Sequence, residues 1–226
     1  MRFTYYGQSC FLIEISGKKL LFDPFITGNP QAKDISADSI KADYILVSHG
    51  HGDHVADLVS IAKHTGALVL GAFEITEWLA KQGVTHTHPL NFGGRKQLDF
   101  GIVKFVHAMH SSVLPDGTYD GNPGGFVITT QEGNFYYSGD TSLMLDMQLI
   151  PRYAKLNFAI LPVGDNFTMG IDDAVLAAEF IQCSNIIGVH FDTFPYIEIN
   201  HEEARNKFTL AGLNLTLPII GETISL

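Results

Sequence analysis

The chain has 226 residues and a formal net charge of −10, and 46% of its residues are hydrophobic while 17% are charged. This composition supplies enough apolar side chains for a buried core and argues against an intrinsically disordered chain. The excess of acidic residues disfavours nucleic acid and anionic membranes as partners, because both are bound through clustered Lys and Arg.

Signals for export, membrane insertion and disulfide bonding are absent from the sequence. No apolar run approaches the roughly 18 residues of a membrane span, and the first residues lack the pattern of a secretory signal. Cys10 and Cys183 are too few for a disulfide framework, so we expect two buried thiols. We predict a cytoplasmic protein with a single domain over residues 1–226 and a small-molecule substrate, and a homo-oligomer remains an open alternative.

The first half of the chain begins with strands and continues with alternating strands and helices. Alternating apolar residues predict a strand meander over 2–6, 10–15 and 19–22, with Ser16-Gly17 as a turn. Buried strands are expected over 43–47 and 68–70. Helical spacing predicts helices over 55–64 and 73–81, and Asp53 is the expected N-cap of the former.

The second half repeats this order. Its expected strands cover 87–90, 97–99, 102–108, 125–130, 134–138, 158–161 and 186–189. A helix is expected over 171–181, and Asn200 with Glu203 resembles a capping box for a last helix through residue 211. Because helices must cover one face of each sheet and the sheets must cover each other, we predict an α/β fold arranged as a four-layer αββα sandwich.

The histidine-rich motif His49-Gly50-His51-Gly52-Asp53-His54 directly follows the strand predicted over 43–47. Imidazole and carboxylate groups are ligands for zinc, iron and manganese, and glycines at 50 and 52 leave the backbone free to fold these side chains together. Four ligands for one ion would be crowded in so short a loop. We therefore expect His49 and His51 on one ion and Asp53 and His54 on a second, and the alternative is a polar turn or helix cap that is rich in histidine.

Further ligands are expected at the ends of other strands, where ligand sites of α/β folds gather. His110 lies just past the strand over 102–108, whereas His107 falls within it, where a buried hydrogen-bonded histidine is the simpler interpretation. Asp140 in Ser138-Gly139-Asp140-Thr141 is placed to bridge two ions, or it is a turn aspartate. His190 follows the strand over 186–189, and its alternative role is a hydrogen-bonded histidine at a strand end.

These residues, in this order on a doubled β-rich chain, resemble the metallo-β-lactamase superfamily over essentially the whole chain. The segments Phe22-Asp23-Pro24-Phe25, Ala108-Met109-His110-Ser111 and Leu161 to Gly170 are more narrowly similar to a small uncharacterised family of metal-dependent hydrolases related to the ascorbate-phosphate lactonases. The resemblance implies one ion on His49, His51 and His110 and another on Asp53, His54 and His190, with Asp140 bridging them.

The expected activity is that of a metal-dependent hydrolase, which uses a metal-bound water or hydroxide on an ester, lactone or phosphoester bond of a small substrate. We expect two divalent transition-metal ions, zinc first, with manganese or iron as alternatives. Asp53 and Asp140 are the expected catalytic carboxylates, because Asp53 can steer the nucleophile and move its proton. The competing functions are a mononuclear iron oxidoreductase and a non-catalytic metal-binding protein of the same fold. Residue 51 is His where the related flavodi-iron oxidases have Glu, which disfavours oxygen reduction.

Substrate contacts are expected from loops that overhang the ions. Asn166, Phe167 and Thr168 combine hydrogen-bonding groups with an apolar ring, and the segment 193–196 follows a predicted ligand. Ordinary loop packing is the alternative for both segments. Asp23 is the first candidate for a group that orients a liganding imidazole, and a structural salt bridge or a turn is its alternative role.

Overall fold

The computed structural model describes residues 1–226, which form fourteen strands and six α-helices. The strands are β1 (Arg2–Gly7), β2 (Cys10–Ile15), β3 (Lys18–Phe22), β4 (Tyr44–Leu46), β5 (Leu68–Ala72), β6 (Thr87–Leu90), β7 (Arg95–Gln97), β8 (Ile102–His107), β9 (Gly124–Thr129), β10 (Asn134–Tyr137), β11 (Phe158–Pro162), β12 (Asn185–Val189), β13 (Asn214–Thr216) and β14 (Thr223–Ser225). The helices are α1 (Gly52–Val55), α2 (Leu58–Thr65), α3 (Phe73–Lys81), α4 (Ile150–Tyr153), α5 (Ile171–Phe180) and α6 (His201–Leu210). No helix combines the length and the apolar character needed to cross a membrane.

The strands form two seven-stranded sheets, ordered β14-β1-β2-β3-β4-β5-β6 and β13-β12-β11-β10-β9-β8-β7. Each sheet starts as an antiparallel meander and continues with parallel pairs, from β3 onward in the first sheet and from β10 onward in the second. The turn at Ser16-Gly17 forms where the sequence predicts it, and a hairpin at Glu132-Gly133 joins β9 to β10. The C-terminal β14 returns to pair with β1.

Three clusters of buried side chains define the layers. The central cluster joins the facing surfaces of both sheets, with Phe11 and Phe22 from the first sheet packed edge-on against Tyr137 from the second. A second cluster lies between the first sheet and α1 to α3, and a third lies between the second sheet and α4 to α6. The predicted α/β fold with four layers is therefore confirmed. Both sheets share the central core, and the single domain over residues 1–226 stays a prediction.

The predicted helix over 55–64 and its cap are wrong in detail. The chain forms α1 and α2 with a break at Ala56-Asp57, and α1 begins at Gly52, so Asp53 lies inside this short helix. Asp53 does not cap because its carboxylate accepts a hydrogen bond from the Gln8 side chain instead. Asp57 precedes α2, and its carboxylate accepts from the backbone N–H groups of Ile26 and Thr27.

Other predicted elements are confirmed or shifted slightly. The Asn200 side chain accepts from the N–H groups of Glu202 and Glu203 and so caps α6, whereas the Glu203 side chain pairs with Lys207 and does not complete a capping box. The strand predicted over 97–99 ends at Gln97, because the chain turns at 98–101, where the Leu98 N–H donates to the Gly101 carbonyl. The thiols of Cys10 and Cys183 are buried and free, as predicted.

Candidate metal centre

All seven predicted ligands lie at one edge of the sandwich. His49 and His51 follow β4, and His54 lies in α1 directly after them, while His110 follows β8 and His190 follows β12. Asp53 and Asp140 complete the set, the latter just beyond β10. Strands β8, β10 and β12 run in the same direction, so their carboxyl ends meet at the same edge of the second sheet.

The structure divides these residues into two groups. The three-histidine group consists of His49, His51 and His110, whose potential ligand atoms all lie within 4.8 Å of one another. The mixed group satisfies the same criterion and consists of Asp53, His54, Asp140 and His190. This division is the one that the resemblance implies, and it places each group around a volume that a single ion can fill.

One carboxylate oxygen of Asp140 lies between the two groups. Its Oδ2 is 2.9 Å from His190 Nε2 and 3.1 Å from His54 Nε2, both in the mixed group. The same oxygen is 3.8 Å from Nε2 of His110 in the three-histidine group. Asp140 therefore lies within reach of both ligand groups.

Asp23 holds the imidazoles in place from behind. It is completely buried, and its carboxylate accepts from His54 Nδ1 at 2.9 Å, so His54 Nε2 faces the mixed group. Ser48 Oγ donates to Asp23 at 2.6 Å and lies 2.9 Å from Nδ1 of His49. The Tyr137 hydroxyl donates to the same carboxylate at 2.5 Å. Asp23 thus lies where a group that orients the imidazoles is expected, as one of the two sequence interpretations proposed. Such contacts fix which imidazole nitrogen is available to a metal.

The three-histidine group is electrically neutral at pH 7. Burial lowers the pKa of His49, His51 and His110 below 6.5, and the nearby His54 lowers it further at His49 and His51. A neutral imidazole has a free lone pair, which is the form that binds a metal ion. This group is therefore prepared to bind a cation without first losing protons.

The mixed group, in contrast, attracts positive charge. Burial opposes a proton on His54 and His190, but Asp140 and its neighbours outweigh that effect and raise the pKa of His190 to about 9 and that of His54 well above 6.5. Burial likewise opposes ionisation of Asp140, but His190 and His54 hold its pKa well below 3.8. No Lys or Arg forms an ion pair with Asp23, Asp53 or Asp140. A bound cation would take over the charge compensation that these protons provide.

We expect the metal-free protein to be most stable near pH 6.5. The raised pKa of His190 contributes stability that is complete below 6.5 and lost as the pH rises through about 9, a difference of about 3 kcal/mol. The lowered pKa values of the three-histidine group act in the opposite direction, since the unfolded chain binds more protons as the pH falls below 6.5. Thermal melts of chelator-treated protein from pH 5 to 9 test this. A metal-free melting temperature that rises steadily from pH 6.5 to 9 would contradict it.

His107 is placed differently from the buried histidine considered in the sequence. Its side chain is 39% exposed, lies 3.4 Å from the Asp146 carboxylate and packs against Phe92. The residue shares the inward face of β8 with Val103 and Phe105, but it lies at the last position of the strand, where the core no longer covers it. It belongs to neither ligand group.

His110→Ala should lower metal content and activity together, whereas His107→Ala should leave both near the parental level. Removing a direct ligand should weaken zinc binding by more than the loss of about 10–100-fold that is typical of a group that only orients a ligand. Elemental analysis and zinc titration of the two variants beside the parent provide the measurement. Metal binding that survives in His110→Ala but fails in His107→Ala would reverse the assignment.

The predicted substrate residues lie on an exposed loop next to Asp140. The Met169 N–H donates to the carbonyl of Thr141, which anchors the loop beside that ligand. Asn166 and Phe167 are exposed and Thr168 is partly buried. The Phe167 ring meets the exposed Tyr196 ring edge-on, with centroids 6.3 Å apart. Contact between these residues and a substrate stays a prediction.

Three residues near the ligands were not identified from the sequence. Gln8 is buried, and its Nε2 donates to Asp53 Oδ2 at 2.8 Å. Asp120 is buried, and its Oδ2 accepts from the Gly50 N–H at 2.5 Å. Ser48 links His49 to Asp23, as described above. The run Asp120-Gly121-Asn122-Pro123-Gly124-Gly125 was a visible signal, since a carboxylate next to so many turn residues marks a specifically shaped loop.

Comparison with known proteins agrees with this geometry. A family model described as a beta-lactamase superfamily domain matches residues 2–190, which include all seven candidate ligands. A Flavobacterium johnsoniae protein named UPF0173 metal-dependent hydrolase is 55% identical over 226 residues, which are 100% of each chain. The chain belongs to the metallo-β-lactamase superfamily. It is a metal-dependent hydrolase, as the sequence predicted, and the more specific relation to the ascorbate-phosphate lactonases stays a prediction.

Two solved structures share the fold of this hydrolase. Igni18, a novel metallo hydrolase from the hyperthermophilic archaeon Ignicoccus hospitalis, has 31% sequence identity and a TM-score of 0.89, with 99% of this chain and 97% of that chain covered. The isothiocyanate hydrolase from Delia radicum gut bacteria has 19% identity and a TM-score of 0.80, with 100% and 99% covered. The second likeness shows the fold alone.

Proposed function

We propose that this hydrolase holds two divalent transition-metal ions, zinc in preference to manganese or iron, and cleaves an ester, lactone or phosphoester bond of a small molecule. The observation that carries the proposal is the position of Asp140 Oδ2, which lies within 3.8 Å of imidazole nitrogens from both ligand groups. A carboxylate in that position fixes the spacing of two cations and neutralises part of their charge.

The donor atoms fit such ions. The three-histidine group offers the set of neutral nitrogens that is typical of catalytic zinc, and the mixed group adds carboxylate oxygens. Asp53 and Asp140 have no Lys or Arg partner, so a cation at the centre satisfies charges that the protein otherwise balances with protons on His54 and His190. When bound, two ions would lower the pKa of a water molecule between them and polarise the bond under attack.

Asp53 is the side chain best placed to take up and release a proton during the reaction. It is 25% exposed, whereas Asp140 is 3% exposed, so water reaches Asp53 more readily. Burial raises its pKa, but His54 and His190 outweigh burial and hold that pKa below 3.8, which keeps the carboxylate ionised at pH 7. The Gln8 amide donates to Oδ2 and thereby fixes the orientation of this carboxylate. Asp53 can therefore orient an attacking water and relay its proton, and the lowered pKa favours passing that proton on over keeping it.

The loop that carries Asn166, Phe167 and Thr168 supplies the proposed substrate contacts. Its anchor on Thr141 places it beside Asp140, and the exposed rings of Phe167 and Tyr196 offer apolar surface at the rim. This combination favours a small substrate with an apolar portion next to the bond that is cleaved. The cytoplasmic location and the oligomeric state stay predictions.

Metal stoichiometry measured together with turnover tests the proposed function. Protein purified without added metal is reconstituted with zinc, manganese or iron, analysed for bound ions, and assayed on a panel of esters, lactones, amides and phosphodiesters. We expect two ions per chain and hydrolysis of at least one substrate class. His49→Ala should lose both properties, and the exposed His86→Ala is the matched control.

Each alternative outcome selects a different function. One redox-active iron per chain would replace the proposal with a mononuclear iron oxidoreductase. Two bound ions without turnover of any substrate would select a metal-binding protein that does not catalyse hydrolysis.

A further inference from the structure

Asp120 is a buried carboxylate in the segment that precedes β9. Asp120 is 1% exposed and forms no ion pair with Lys, Arg or His. Its Oδ2 accepts from the Gly50 N–H at 2.5 Å and from the Ser112 hydroxyl, while its Oδ1 has no hydrogen-bond partner. Burying a carboxylate without a cationic partner costs free energy of folding. We therefore expect this carboxylate to contribute something that offsets the cost.

The partners of Asp120 belong to the two chain segments that carry the three-histidine group. Gly50 lies between His49 and His51, and Ser112 lies two residues after His110. The Gly50 N–H also lies 3.0 Å from Ser112 Oγ, so these three residues form one hydrogen-bonded cluster. Asp120 therefore joins the loop after β4 to the loop after β8 next to the residues that carry the imidazoles.

The packing at residue 50 is as restrictive as the hydrogen bonding. A Cβ atom built on Gly50 would overlap the Asp120 carboxylate, so only glycine allows this approach. The glycine between the two histidines thus has a specific partner, in addition to the flexibility expected from the sequence.

The negative charge of Asp120 also affects the three-histidine group. The three-histidine group contributes no formal charge of its own, whereas the mixed group contains two carboxylates. Asp120 Oδ2 accepts from the Gly50 N–H at 2.5 Å, and Gly50 is the chain neighbour of both His49 and His51, so this carboxylate lies beside the three-histidine group. A divalent cation among the three histidines would be attracted by its negative charge.

We propose that Asp120 is a positioning residue for the three-histidine group: it holds Gly50 and Ser112 so that the three imidazoles converge, and its negative charge stabilises the bound cation without coordinating it. The proposal rests on the two-ion site described under the proposed function. It predicts that the two metal-binding steps depend differently on Asp120, which a general role in loop folding does not.

The test is a zinc titration of the purified full-length protein against a chromophoric chelator, with Asp120→Asn, Ser112→Ala and Asp146→Asn beside the parent. The binding step that His110→Ala removes is assigned to the three-histidine group. At that step we expect Asp120→Asn to lose about 10–100-fold in affinity. Ser112→Ala should lose about fivefold, as for one hydrogen bond, while the mixed group stays within about twofold of the parent. Asp146→Asn removes one exposed charge near His107 and should change neither step.

Parental affinity at both steps in Asp120→Asn, or equal losses at both, would overturn the proposal. If Asp120→Asn does not fold, as judged by the thermal melt of the metal-free protein, Ser112→Ala decides: parental affinity at the assigned step then overturns it. The parental stoichiometry tests the two-ion site, and the comparison of variants with parent tests Asp120. The two ideas can therefore fail separately.

Discussion

Asp140→Asn should reduce turnover by at least about 100-fold while the fold survives. The substitution keeps the size of the side chain but removes the charge of the one carboxylate whose oxygen lies 2.9 Å from His190 and 3.8 Å from His110. Because a neutral amide cannot balance two cations, one metal-binding step should weaken more than the other. Activity should be lost even when excess metal fills both groups, since the spacing of the ions is no longer fixed.

The measurements for Asp140→Asn are bound metal, melting temperature and hydrolysis of the ester, lactone and phosphodiester panel. Asp165→Asn is a matched control, because this aspartate follows β11 and lies outside both ligand groups. Its expected effect on bound metal is small. If Asp140→Asn keeps full metal content together with parental activity, Asp140 is a turn aspartate and does not bridge ions.

Asp23→Asn should give the largest loss of stability among single substitutions at the centre. The carboxylate accepts from the Ser48 N–H, the Ser48 hydroxyl, His54 Nδ1 and the Tyr137 hydroxyl, and all of these lie in the buried interior. An amide offers one oxygen and brings two donors, so the groups at one of the two carboxylate oxygens lose their acceptor: either the Ser48 N–H at Oδ1 or the three donors at Oδ2. Removing one partner of a buried charged pair typically costs about 3–5 kcal/mol.

Urea unfolding of the metal-free and metal-loaded forms measures this effect. Zinc affinity should fall as well, by about 10–100-fold, because His54 is no longer held in the tautomer that presents Nε2. Asp43→Asn is the control: this exposed residue accepts from the Lys19 N–H at the far end of the same sheet, and the amide oxygen can keep that bond. Equal destabilisation by Asp23→Asn and Asp43→Asn would show that Asp23 has no special role.

The sequence predicted most of the fold because the elements with long apolar patterns carry their own signal. Strand β2 and helix α3 carry such patterns and have the predicted bounds, and the short strand β6 has them as well. The strands that were missed, β13 and β14, are three residues each with exposed end positions, which is too short for a pattern to stand out. Both lie at sheet edges and form because the partner strand is already in place.

The candidate ligands could be found from the sequence because each follows a predicted strand, and the strand order brings the strand ends together. The residues that form hydrogen bonds with these ligands and their loops could not be found in this way. Asp120 meets Gly50 across 70 positions of the chain, and Gln8 meets Asp53 across 45, so only the folded chain reveals these pairs. The prediction that Asp53 caps a helix failed for the same reason, since the local sequence favoured a helix cap, whereas in the folded chain the carboxylate contacts Gln8.

The two ligand groups contain residues that follow strands of both sheets, and this affects how the chain unfolds. His49, His51, Asp53 and His54 follow a strand of the first sheet, whereas His110, Asp140 and His190 follow strands of the second. Bound ions would therefore close loops between distant parts of the chain, which restricts the freedom that the sheets gain on separating. The metal-loaded form should unfold more slowly than the metal-free form, so that metal supply sets the lifetime of the enzyme in the presence of proteases.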